Sequence, residues 1–354
     1  MDIAQSRLHN QQISSSKFKK PHEVVGWLGA IQAQDYLGGL WAVGLRTQGA
    51  TEKSVEKALA DRTIIRTWPM RGTLHFVAAE DARWMLALMT PRVIRAMSLR
   101  MHQLELNEKI LERTRNLIAK ALHGGKQLTR DQLYEVLDAG GVSHANGRSY
   151  HLLTRIAHEG ITCFGARVGK QQTFALLDEW VPKTKPLQHE EALTKLAIRY
   201  FTGHGPATIQ DCMWWSGLPA TELRKGIELA KNKLAKEVID GQTYYFSSIL
   251  TTPPTYPPAT YALPPFDEYI VGYKDRKAVL DPAHAIKVNP GLNGMLSSVI
   301  VINGKVVGTW KRVMKKNSVS ISTHPFGSPF TKKEKQTIDI ALKKYSEFLG
   351  LPIH

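Results

Sequence analysis

The chain has 354 residues, 47 Lys+Arg against 31 Asp+Glu, a formal net charge of +16, and 43% hydrophobic and 22% charged residues. This length suits about two to four small modules, and the composition is that of an ordinary globular protein. No apolar run approaches the roughly 18 residues of a membrane span, and the start MDIAQSRLHNQQ lacks the basic-then-apolar layout of a signal peptide. A cytoplasmic protein with no membrane partner is therefore expected. The positive excess draws polyanions, with nucleic acid the first partner it suggests and an anionic membrane surface the second. Plain solubility would leave the same charge. Cys163 and Cys212 lie far apart in sequence and fit a reducing compartment as two small buried thiols rather than a disulfide.

In chain order, PHEVVGWLGAIQAQDYL (21–37) predicts a helix, with Pro21 in its first turn and Val24, Val25, Leu28 and Ile31 on its apolar face. Gln32 and Gln34 alternate near its end, followed by Asp35. Residues two apart on a helix do not face each other, whereas in an extended segment they do. The two amides cooperate only if the helix ends there, and Asp35 with Gly38-Gly39 favours a break. Otherwise one glutamine is solvated and the other half-buried.

TEKSVEKALADR (51–62) reads as a helix capped by Thr51, and TIIRTWPMRGTLHFVA (63–78) as two alternating strands around Pro69 to Gly72. Arg71 and His75 would then share one strand face with Thr73, as a phosphate or lesion-side contact or as a buried histidine satisfied by backbone. Two clearer copies of this pattern follow. In 126–180 and 205–250 a capping threonine (Thr129, Thr208) starts a short helix that ends at glycine. A second helix with apolar residues at helical spacing comes next, then a tight β-hairpin. This is the winged-helix plan. Arg148 and Arg155 lie on the second helix of the middle copy, where a recognition helix would meet DNA, although that helix can instead pack between modules. Helices at 81–100, 107–122 and 189–203 would join the units.

TTPPTYPPATYALPP (251–265) predicts an extended strap. Asp267 and Glu268 follow it, either lining a pocket or bonding to the strap. In LSSVIVINGKVVGTWKRVMKK (296–316), Asn303-Gly304 marks a type I′ hairpin. Lys305, Lys311, Arg312, Lys315 and Lys316 form a dense basic cluster around it, either a phosphate-binding set or a solvated face. A C-terminal helix closes the chain, its stripe Ile338, Ala341, Leu342, Tyr345 and Phe348 facing the core.

CxxC, HExxH, GxxxxGK[ST], GxGxxG and GxSxG are all absent. No metal and no nucleotide cofactor is expected, and the lack of a zinc motif removes a nucleic-acid deaminase.

GAIQAQDYLGGLWAVGLR, IIRTWPMRGTLHFVAAED and LPPFDEYIVGYKDR, in that order, resemble the AlkZ/YcaQ family of bacterial DNA glycosylases. The likeness runs over nearly the whole chain. It implies an α+β fold of tandem winged-helix modules around a concave basic surface, with a C-terminal β-hairpin and helix. The segments would be 1–105 with the Gln-Ala-Gln motif, 106–185, 186–252 and 253–354. Members remove bulky or N-alkylated bases from duplex DNA with a Gln-apolar-Gln or Gln-apolar-Asp motif, matched here by Gln32-Ala33-Gln34. The family's duplex-probing hairpin would fall at 299–310. Asp35 is the main rival for a general base, with a helix-terminal or salt-bridged acid the reading preferred for it. No lysine lies close in sequence to the glutamines, so a monofunctional, monomeric enzyme without a Schiff base is expected. The alternative is a tandem winged-helix regulator without catalysis, which would protect a defined sequence in footprinting where a glycosylase would not.

Overall fold

The computed structural model describes residues 1–249 and 258–354, so the proline-rich strap expected at 251–265 lies outside the described residues up to 257. The chain opens with helix α1 (Ile3–Asn10) and α2 (Pro21–Leu28), followed by strand β1 (Ala30–Gln32), α3 (Tyr36–Leu45) and α4 (Glu52–Ala60). The hairpin β2 (Ile64–Met70) and β3 (Thr73–Ala78) completes the first unit. Helices α5 (Ala79–Ala96) and α6 (Ser98–Gln103) lead to α7 (Glu108–Leu122), β4 (Leu128–Thr129), α8 (Arg130–Ala139), α9 (Arg148–His158), β5 (Thr162–Phe164) and β6 (Thr173–Leu176). Next come α10 (Leu177–Trp180), α11 (His189–Gly203), α12 (Ile209–Ser216), α13 (Ala220–Leu229), β7 (Leu234–Ile239) and β8 (Gln242–Ser247). The last segment holds β9 (Thr260–Leu263), α14 (Glu268–Val271), α15 (Ala285–Val288), β10 (Val299–Ile302), β11 (Lys305–Met314), β12 (Val319–Pro325) and α16 (Lys332–Leu349).

Three of these runs share one plan. The sheet order β1-β3-β2 after α2–α3–α4 matches β4-β6-β5 after α7–α8–α9. In the third run Ala207 bridges Tyr245 of β8 in the place of that first strand. Each run thus reads helix, short strand, helix, helix, hairpin. The front copy begins at α2, thirty residues earlier than the sequence pattern suggests, and the Thr51 helix is its third helix, not its first. The three middle helices begin alike. Asp35 accepts from the Gly38 N–H at 2.5 Å, Thr129 from Gln132 and Thr208 from Asp211, each silencing an orphan donor of the first turn. Gln-Ala-Gln therefore occupies the link between first strand and helix cap.

The single helix expected over 21–37 does not form. Its apolar stripe stops at Leu28, and Gly29 at φ +81 turns the chain into β1. Gly38 and Gly39 are no break; they lie inside α3. A Cβ on Gly39 would sit 2.9 Å from the Phe76 ring and 3.1 Å from the Ala33 Cβ. Its bare backbone lets α3 close on the residue between the two glutamines.

Hydrophobic cores run across the units. Trp41 of α3 packs on Tyr345 and Phe348 of α16, with ring centroids 5.3 and 5.1 Å away, and donates Nε1–H to the Ala262 carbonyl at 2.8 Å. Ile338, Ala341, Leu342, Tyr345 and Phe348 are all buried in that cluster, as the stripe predicts. Each such aliphatic or aromatic group contributes on the order of 1.5–3 kcal/mol when fully buried. A second cluster joins β2 and α5 to α11, α12 and α13. Cys163 and Cys212 are free and buried, and among the described residues no helix is long and apolar enough to cross a membrane.

Candidate active site

Gln32 ends β1 opposite His75 of β3 and is 5% exposed, while Gln34 is open to solvent. Both amide oxygens are engaged by the β2–β3 turn and the start of β3. Arg71 Nη2 donates to Gln32 Oε1 at 3.2 Å, and the Leu74 N–H donates to Gln34 Oε1 at 3.2 Å. An amide oxygen has two lone pairs, so each keeps one for a further donor. The backbone between them is pinned as well. Ala33 N–H donates to the Leu74 carbonyl at 2.8 Å, and Arg66 Nη2 donates to the Ala33 carbonyl at 2.9 Å. Arg66 is itself held over the rings of Phe164 and Tyr36, 4.7 and 5.3 Å from their centroids.

Behind Gln32 stands Glu268, fully buried. Its Oε1 accepts the Gln32 N–H at 2.8 Å, and its Oε2 accepts Trp215 Nε1–H at 2.9 Å with His204 Nε2 at 3.2 Å. Burial pushes this carboxyl up, but His204 and the Gln32 N–H outweigh burial and hold it below the usual carboxylate range. A buried anion thus lies one peptide behind the glutamine pair. Its neighbour in sequence behaves differently. Asp267 is not a pocket residue. Its two oxygens take Arg46 Nη1 at 2.8 Å and Nη2 at 2.7 Å in a bidentate pair with no exposure, and it caps α14.

Arg71 and His75 do not share a strand face. Arg71 sits in the turn at φ +54, before β3 begins at Thr73. His75 is 0% exposed; its Nδ1 lies 2.9 Å from the Thr73 carbonyl, which makes Nδ1 the protonated nitrogen. Burial and then Arg71 lower its pKa from 6.5 to about 4. It is the backbone-satisfied buried histidine, neutral at pH 7, and too deep to meet a phosphate. Arg71 is desolvated, which lowers its pKa, but a guanidinium keeps its charge.

Asp35 caps α3 and also accepts from Arg312 Nη2 at 2.7 Å. The Asp35 carboxylate is thus committed to a helix cap and to a guanidinium. Through Arg312 the middle of β11 reaches the glutamines.

The basic cluster separates into two places. Lys305 lies at one end of β11 and donates Nζ to the Ala278 carbonyl at 2.7 Å. Lys315 and Lys316 lie past its other end, roughly 30 Å away at about 3.3 Å per residue. The turn of the 299–310 hairpin is covered on one side, where Gly304 abuts Ala4 and its carbonyl accepts from the buried Tyr269 hydroxyl at 2.8 Å, while Asn303 and Lys305 are exposed. The more fully exposed tip is the next one, where Met314 pairs with Val319 and Lys315 N–H bonds the Ser318 carbonyl at 2.9 Å. Lys311, Val313, Met314, Lys315 and Lys316 are all exposed there. No turn dipeptide marks it, which is why sequence patterning missed it.

Helix α9 packs on α5 and β2 rather than standing free. Arg155 Nε bonds Glu159 Oε1 at 2.6 Å, and Arg115 takes the same carboxylate, so Arg155 is spent inside the protein. Arg148 is half-buried at the start of that helix. Among the described residues no three His, Cys, Asp or Glu gather as metal ligands.

The model of the AlkZ-like DNA glycosylases matches residues 25–348. The interstrand DNA cross-link repair glycosylase of Streptomyces sahachiroi is 28% identical over 363 residues, 95% of this chain and 94% of that protein. The solved structure of Streptomyces sahachiroi DNA glycosylase AlkZ, 23% identical, superposes with a TM-score of 0.80 over 100% of this chain and 98% of that one, and shares its fold. With one family model spanning the glutamine strand, all three helix–hairpin units and the C-terminal helix, the chain belongs to the AlkZ-like family and is a DNA glycosylase.

Proposed function

We propose that this chain is a monofunctional, monomeric glycosylase that hydrolyses the N-glycosidic bond of alkylated, cationic bases in duplex DNA, bulky and cross-linked adducts included. The observation that carries the reading is the fixing of both glutamine oxygens by the β2–β3 turn and the start of β3, while the acid and the imidazole nearby are committed elsewhere: Asp35 is paired with Arg312, and His75 is fully buried. A base alkylated at N7 or N3 is already a good leaving group and needs no strong acid. What remains is to place water at C1′ and to face the developing oxocarbenium charge with negative potential. The free lone pair of Gln34 Oε1 accepts from that water. Gln32, locked by Arg71 from one side and Glu268 through its N–H from the other, sets the strand on which Gln34 is aimed. Glu268 contributes the field of a buried anion. Normal bases need protonation to leave, so a neutral pair discriminates against them.

The exposed 311–319 hairpin is the element offered to the duplex, with Lys311, Lys315 and Lys316 on phosphates and Arg312 linking it to Asp35. The similarity to a cross-link repair glycosylase supports a wide-mouthed site.

The test is base release from duplexes carrying N7-methylguanine or an interstrand cross-link, with wild type and Gln32→Ala/Gln34→Ala. Gln34→Ala alone is expected to slow single-turnover release by about two to three powers of ten while leaving DNA affinity nearly unchanged. Equal release by wild type and the double variant refutes the assignment. Borohydride is expected to trap no protein–DNA adduct.

A further inference from the structure

We infer that the cavity between the β2–β3 turn, the second half of α5 and the end of α12 is a seat for one phosphodiester of the DNA strand being repaired. The inference rests on the glycosylase reading and locates where that site grips the backbone. The cavity has a volume of about 420 Å³ and is lined by Arg71, Arg92, Arg95, Met89, Val93 and Gly217, among others. Arg92 Nε donates to the Gly217 carbonyl at 3.1 Å, leaving its other donors open. The Arg95 side chain has no hydrogen bond or ion pair among the described residues, and the Arg71 side chain bonds only Gln32 while its buried Nε has no partner. None of the three guanidinium groups meets an acid within ion-pair distance among the described residues.

Three guanidinium groups line this one hollow, and only Arg71 faces a carboxylate, Glu268, beyond ion-pair distance. A bound anion would offset the remaining positive charge. The cationic base that the enzyme would release is therefore the wrong occupant, and a phosphodiester is the right one: it is anionic and its two free oxygens match the guanidinium fork. Met89 and Val93 give the hollow an apolar wall, which strengthens each charge-assisted bond and suits the carbons of a deoxyribose. Arg71 touches both the hollow and Gln32 Oε1, so it is a positioning residue that ties backbone binding to the orientation of the glutamine strand. A surface lysine patch would bind DNA anywhere; this arrangement registers one linkage against Gln32.

The experiment uses the full chain with Arg92→Gln, Arg95→Gln and the double variant, both positions being exposed and tolerant of change. On an undamaged duplex the double change is expected to lower the slope of log K against log salt by about one, the share of one phosphate, and each single change by no more than that. On a duplex with one tetrahydrofuran abasic-site analogue, the flanking phosphodiesters are replaced one at a time by neutral methylphosphonates. One linkage is expected to weaken wild type by about tenfold and the double variant no further. An unchanged salt slope in the double variant, or equal weakening of both proteins at every linkage, overturns the seat. Base release from N7-methylguanine duplex decides the glycosylase reading separately. Release by wild type with no coupling sinks the seat alone, and coupling without release keeps the seat as a DNA contact.

Discussion

The two ends of β11 are built from similar residues and do opposite things. At 303–304 the chain turns through Asn303 at φ +51 and Gly304 at φ +81, and that turn is driven into α1 and the Tyr269 hydroxyl. At 315–318 it turns through two lysines and stands in solvent, with Arg312 reaching back to Asp35. The first end belongs to the same buried region as Asp267 and Arg46; the second belongs to the glutamine site. Turn chemistry states where a chain reverses. It does not state which reversal the rest of the fold covers, because that depends on partners hundreds of residues away.

This contrast can be broken by experiment. The largest effect falls on the locked side. Asp267→Asn leaves the Arg46 guanidinium buried with half its pairing lost and is expected to cost about 3–5 kcal/mol, measured by urea unfolding. Release per folded molecule should survive, and a parallel loss of excision would show that the two ends are not separate. Buried histidines come next. His75 and His158 are each lowered from 6.5 to about 4 by burial first, then by Arg71 and Arg155 respectively. Unfolding lets them take protons, so their contribution is fully present above about pH 6.5 and is lost as pH falls toward 4, by on the order of 3 kcal/mol each at most. An unfolding midpoint that stays level between pH 7 and 5 would contradict this.

Gly304→Ala is smaller. The new Cβ meets Ala4 at 2.9 Å on a backbone of positive φ, so about 1–3 kcal/mol should be lost with no change in DNA binding. Smallest in stability is the free tip. Lys315→Gln/Lys316→Gln should shift stability by less than about 0.5 kcal/mol, yet lower the salt slope of DNA binding by about two. Lys305→Gln at the locked end is the control, and a matching drop in its slope would erase the distinction between the ends.

Much of the scaffold was legible because its causes are local. Thr129 and Thr208 announce helix starts through their own hydroxyls, Asn303-Gly304 selects a type I′ turn, and the α16 stripe follows from a 3.6-residue period. The front unit was misjudged for a local reason too. Val24 to Ile31 satisfies the helical period straight through Gly29, and periodicity cannot register the single positive φ that ends the helix there. Asp35 was legible as a helix-terminal or salt-bridged acid, but the helix it caps was not, since Gly38-Gly39 read as a break. The site was less legible. Gln32-Ala33-Gln34 stood out, but Asp267 and Glu268 are adjacent in sequence and nothing local separates them. One is claimed by Arg46, the other by Gln32, His204 and Trp215.

Taken alone, then, the sequence determined the repeated helix–hairpin units, the basic charge, the absence of recognised metal and nucleotide motifs, and the alternating glutamine pair. These follow from periods, caps and residue chemistry that act within a few positions. Tertiary structure decided which acid lies behind Gln32, which arginines are spent on partners and which face a cavity, and which end of β11 meets solvent. Burial and pairing are properties of what packs against a residue, and in this chain the packing partners of the glutamine strand come from residues 66–74 and from 204–268.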